Sequence, residues 1–145
     1  MKKMIAVVVF LFLCIPLPRT AAPDWSVRVV DGAGLPVEGM TVRESFRNYS
    51  TESQGHESDQ ITDSSGSAHF ARVDAWNSMG RRLVGSLMSL VGGGVHASFG
   101  THAFVFAFGK GLEGSPVRKG YLDDWIGSPS IYSSEIVVRP VEVPK

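Results

Sequence analysis

The sequence predicts a mainly β domain, a sandwich of short strands interrupted by one inserted helix. Three observations predict it. Runs with apolar residues at every second position recur between clusters of Gly, Pro and Asp. The stretch from Asp74 to Val91 changes to apolar spacings of three and four. The run from Val95 to Phe108 is apolar on both faces.

The first element is not part of the sandwich. Met1-Lys2-Lys3 is a short basic stretch, Met4 to Ile15 is unbroken apolar sequence, and Thr20-Ala21-Ala22 places small residues at a cleavage site. That layout is a secretory signal peptide over residues 1–22. Pro23 after the cut and Arg19 just before it are awkward for a peptidase, and the alternative is an uncleaved membrane anchor. The apolar run is short of the about 20 residues a spanning helix needs, so the reading gives no membrane span after cleavage. Cys14 is the only cysteine. It reads as part of the apolar stretch, because Leu11-Phe12-Leu13 lacks the small residues that precede a lipid-attachment cysteine. The mature chain, residues 23–145, has no disulfide. Losing Lys2, Lys3 and Arg19 but no acid leaves eleven bases against fourteen acids, a net charge of −3. A mildly acidic domain without a basic stripe is not a nucleic-acid binder.

Trp25 to Val30 alternates, with Trp25, Val27 and Val29 on one face. Gly32, Gly34 and Pro36 mark a turn. Met40 to Arg47 alternates again, with Met40, Val42 and Phe46 pointing one way and Glu44 as the exception on that face. The pair reads as a hairpin or a sheet-crossing corner. Asn48 to Gln60 is polar and reads as a loop; its Asn48-Tyr49-Ser50 triplet is a glycosylation acceptor only in a eukaryotic secretory path. Asp63-Ser64-Ser65-Gly66 is a turn in which the Asp side chain bonds amides two residues on and Gly66 takes positive φ. It sets the register of the next strand, Ser67 to Val73, with Ala68 and Phe70 inward and His69 outward.

The helical stripe from Asp74 comprises Trp76, Met79, Leu83, Leu87, Leu90 and Val91, with Asp74 or Asn77 as cap and Gly92-Gly93-Gly94 as stop. It is expected to be buried, although Leu83 to Gly109 holds no Asp, Glu, Lys or Arg and membrane contact is the alternative. In the strand after it, Phe104, Phe106 and Phe108 share one side and Ala103, Val105 and Ala107 the other, which suits a central strand covered on both faces. Gly109 to Ile131 reads mostly as loop. Glu135 to Val143 reads as a last strand, with Pro140 at an edge or bulge.

Two phrases, VRVVDGAGLPVEGMTV (Val27 to Val42) and ITDSSGSAHF (Ile61 to Phe70), together with SEIVVRP (Ser134 to Pro140), resemble the carboxypeptidase regulatory-like domain family. The resemblance implies an Ig-like, transthyretin-like or Cna-B-like antiparallel β-sandwich over residues 23–145. It also implies a non-catalytic accessory module outside the cytoplasm. The helix at about 74–91 looks like an insertion whose role the family does not supply.

The sequence calls for no enzyme and no cofactor. It has no H-E-x-x-H, no G-x-S-x-G and no Cys/His spacing. His96 and His102 lie about 20 Å apart on a regular strand, too far for one metal unless Gly100 folds the strand; the histidines, His56 and His69 included, read as ordinary polar residues. Asp123-Asp124 reads as a solvated pair, with a cation site as the alternative. The expected function is a protein-interaction or structural module of the cell envelope, exported to the periplasm, cell surface or medium, with an envelope protein or glycan as partner. Tyr121, Trp125 and Tyr132 are the candidate contacts, as sugar-stacking or partner-anchoring aromatics in a carbohydrate-binding alternative, or else as caps on the core.

Overall fold

The computed structural model of the chain describes residues 1–94 and 98–141. It is a β-sandwich-like fold with short helical additions. The element order is α1 (Lys2–Cys14), β1 (Pro16–Ala22), β2 (Asp24–Val30), β3 (Thr41–Asn48), β4 (His56–Ile61), β5 (Ser67–Phe70), β6 (Val73–Ser78), α2 (Met79–Gly93), β7 (Thr101–Gly109), β8 (Leu112–Gly114), β9 (Val117–Arg118), β10 (Tyr121–Leu122), β11 (Ile131–Val137) and β12 (Arg139–Pro140).

A three-stranded sheet, β11-β2-β5, faces a five-stranded sheet, β12-β8-β7-β3-β4, and β1 pairs with β6 as a separate ribbon. Trp25, Val27 and Val29 of β2, Phe70 of β5 and Ile136 of β11 meet Met40, Val42, Ala103, Val105 and Ala107 in one core. The alternation of β2 and β3 therefore points as the sequence predicts, and the chain between them crosses from one sheet to the other. The pairing of β11 with β2 is parallel, in a fold otherwise built from antiparallel ladders.

The corner between β2 and β3 and the turn before β5 are one tied unit. The Thr62 hydroxyl donates to the Val37 carbonyl at 2.7 Å and accepts from the Met40 amide at 2.9 Å. Asp63 Oδ1 accepts from the Ser65 and Ser67 amides at 2.9 and 3.0 Å. Gly66 has φ 73°, and a Cβ there would lie 2.5 Å from the Val29 carbonyl oxygen. Only glycine fits so close to the neighbouring strand in that conformation. The register of β5 is set by chemistry local to the turn, and Ala68 and Phe70 are buried as expected.

Five expectations are corrected. The polar segment ending at Gln60 is not all loop: His56–Ile61 is strand β4, an edge strand exposed at every residue. It carries no apolar alternation because neither face is covered. The helix starts at Met79 rather than Asp74, because residues 73–78 form β6 against β1. Its cap is Ser78, whose hydroxyl accepts from the Arg81 amide at 3.3 Å. Helix α2 buries none of its residues, so its apolar stripe does not face the core. Strand β7 is covered on one face, not on both. Ala103, Val105 and Ala107 face the core, while Phe104 is exposed and Phe106 and Phe108 are half-buried on the outside. The last strand, expected from Glu135 to Val143, runs from Ile131 to Val137, and β12 follows as the sheet edge.

Residues 16–22 are strand β1, in the segment expected to be leader. Ala21 and Ala22 are buried, and β1 lies against β3 and β7. Helix α1 buries nothing. Among the described residues no helix is long and apolar enough to cross a membrane.

Candidate functional site

A concavity of about 980 Å³ lies beside β11 and is bounded across its width by the β8–β9 segment. Strand β11 is the outer strand of its sheet. The Val138 amide donates to Val30 and the Asp24 amide to Ser130. In a parallel ladder these two bonds direct the even-numbered backbone groups of β11 toward β2 and the odd-numbered ones away from it. The amides of Ser133 and Glu135 thus point into the cleft, where among the described residues no strand pairs with them. Phe106 and Phe108 line one wall, and Glu113, Arg118, Glu135 and Arg139 bring both signs of charge.

One end of the cleft is fixed by a polar network centred on Asp123. The Asp123 amide donates to the Pro116 carbonyl at 2.9 Å, holding its loop against the β8–β9 connection. Its carboxylate accepts from Tyr132 Oη at 2.7 Å and from Ser134 Oγ at 3.3 Å, and it lies 3.2 Å from Arg118 Nε. Ser134 Oγ in turn accepts from Trp25 Nε1 at 3.1 Å. Burial, then the hydrogen bond and charge of Asp123, push the Tyr132 phenol above its ordinary pKa. With three partners on its carboxylate, Asp123 is a structural tie between the loop and the core. Ser134 was the signal for this network: a polar residue on the inward face of a strand needs a partner. A last strand begun at Glu135 leaves it out.

The candidate aromatics do not share one exposed face. Trp125 is buried, bonded to Ala103 in both directions through its backbone, with its indole N–H donating to the Pro129 carbonyl. Tyr132 packs edge-on against Trp25, with ring centroids 5.2 Å apart, and Arg118 lies over its ring. Tyr121 alone is open, 80 % exposed in the β9–β10 hairpin.

The histidines are separate. His69 Nε2 is 3.0 Å from Asp24 Oδ1, His56 stacks on Phe46, and His102 meets Tyr49 edge-on. His96 lies outside the described residues. Among the described residues no group of three metal-ligating side chains converges.

Glu44, the exception in the β3 pattern, is 1 % exposed, and its Oε1 has no hydrogen-bond partner. Desolvation pushes its pKa up to about 7.

Comparison with protein-family models, with curated proteins and with solved structures finds no match to this chain.

Proposed function

We propose that this chain is a non-catalytic module of the carboxypeptidase regulatory-like kind, exported to the cell envelope, where it binds or braces another envelope protein. The observation that carries the reading is the free edge of β11. Amides at Ser133 and Glu135 that no strand pairs with among the described residues, facing a cleft with apolar walls and both signs of charge, are the requirements for adding a partner's extended segment as a further strand. Main-chain bonds would supply affinity, and the cleft walls would select side chains. The Asp123 network belongs to this reading, since it holds the 115–118 wall at a fixed distance from β11.

The glycan alternative has less support. It draws on Tyr121, Trp125 and Tyr132, and two of these are committed to packing.

Hydrogen exchange tests the edge directly. On addition of an envelope protein extract, the Ser133 and Glu135 amides are expected to gain protection while those of β4, the opposite exposed edge strand, do not. Protection at the β9–β10 hairpin alone, on addition of glycan alone, would move the site to Tyr121.

A further inference from the structure

Helix α2 is turned inside out. Its half-buried residues include Arg82, Gly85, Ser86 and Ser89, a stripe at helical spacing made of small and polar side chains. This stripe is what touches the body. Ser86 Oγ bonds Ser50 Oγ at 2.9 Å, Ser89 Oγ donates to the Tyr49 carbonyl at 3.1 Å, and Arg82 Nη2 donates to the Leu17 carbonyl at 3.0 Å. A Cβ on Gly85 would fall 1.6 Å from the Ser50 carbonyl oxygen, so the helix is seated by its glycine. Leu83, Val84, Leu87, Met88, Leu90 and Val91 point the other way and are 52–77 % exposed. Leaving so contiguous an aliphatic face in water is unfavourable, and an uncovered patch of this kind marks a contact.

We propose that the outward face of α2, with the arginines at its base, is a docking surface for an anionic phospholipid bilayer, on which the chain lies without crossing it. Four observations select this occupant over a protein. The face carries no hydrogen-bonding side chain that could fix the register of a protein partner. It continues into a second apolar surface, because the Leu13 carbonyl of α1 lies 3.2 Å from where a Gly80 Cβ would stand. Both helices are too short to span, which suits an interfacial position. Below the face, a pocket of about 540 Å³ holds Arg19 and Arg82 among Asn48, Ser50, Ser86 and Thr101. Among the described residues no carboxylate pairs with either arginine, and Arg82 Nε is buried without a partner. Two uncompensated guanidinium groups beneath an aliphatic surface match the depth order of an anionic headgroup below acyl chains. Trp76, exposed on the strand that leads into α2, sits where interfacial tryptophans occur.

The proposal goes beyond the strand-addition reading, and because none of these residues belongs to β11, each can fail alone. The test uses the full chain and phosphatidylcholine vesicles with and without phosphatidylglycerol. Trp25 and Trp125 are buried, so Trp76 is the reporter. Its emission is expected to shift to the blue and the chain to sediment with the anionic vesicles. The exposed-site double variant Leu87→Glu, Val91→Glu is expected to weaken partition about tenfold or more. The variant Arg19→Gln, Arg82→Gln is expected to remove the preference for anionic over neutral vesicles. Unchanged circular dichroism establishes that both variants fold. Binding by the Leu87→Glu, Val91→Glu variant equal to that of the parent would mean that α1 alone attaches the chain and would overturn the proposal. So would a lipid-free dimer that this same variant abolishes, which would assign the face to a second copy.

Discussion

At the residue scale, Glu44 couples the fold to pH. The unfolded chain gives up the Glu44 proton near its ordinary value of 4.5, whereas the folded chain keeps it to about pH 7. Between those values the folded state binds more protons, so the stability contributed by this group is full below the lower value. It falls as pH rises through the window and is lost above 7. The span corresponds to about 3 kcal/mol. Chemical denaturation of Glu44→Gln is expected to show this slope removed and the variant more stable than the parent at pH 8. A parent slope that survives the substitution would place the titration elsewhere. Glu44 was legible in the sequence as a break in an alternating strand, because period two assigns every residue a face. The direction of that face is a different matter. In β7 both faces read as covered, with Phe104, Phe106 and Phe108 on one side and the small residues on the other. Yet the space between the sheets is already filled by Trp25, Trp125 and Met40, so only Ala103, Val105 and Ala107 fit there. The phenylalanines instead stack on one another outside, with Arg43 over Phe108.

At the scale of elements, residues 1–22 divide in two. Helix α1 touches little, while β1 supplies the only ladder partner of β6 among the described residues and places Ala21 and Ala22 in the interior. Removing residues 1–14 is expected to leave the thermal midpoint close to that of the full chain. Removing residues 1–22 is expected to cost about 2 kcal/mol or more through lost core contacts and an unpaired strand. Equal midpoints for the two truncations would show that β1 is dispensable, as a leader ending at Ala22 is. This competition explains why β6 was hidden from sequence reading. Its partner lies in a stretch whose apolar helix, small residues and preceding lysines spell a leader, and no local pattern in Val73–Ser78 announces a strand. Helix α2 was legible as a helix, since its period is clear and Gly94 closes it with φ 52°. Its orientation was not, because an apolar stripe ordinarily faces a core. Here the closer approach is offered by the stripe of Gly85, Ser86 and Ser89.

At the scale of the whole molecule, the two-sheet architecture followed from the alternation of β2, β3 and β5 and from turn chemistry confined to a few residues, notably Asp63 and Gly66. The cleft did not follow from any such pattern. It arises because β11 joins β2 in parallel, far away in sequence, and so presents its other edge to the segment after β8. Neither the partner of a strand nor the identity of a free edge is encoded in period alone. The account's central claim is that this edge is where the module takes hold of an envelope protein. A proline at Ser133 removes one outward amide, and proline is tolerated on an edge strand. The most direct measurement is therefore co-sedimentation of the full chain and of Ser133→Pro with envelopes of the producing cell, before and after protease treatment of those envelopes. The account predicts a protease-sensitive fraction of binding that the Ser133→Pro variant lacks while keeping its fold. A protease-sensitive fraction undiminished in the variant would contradict it.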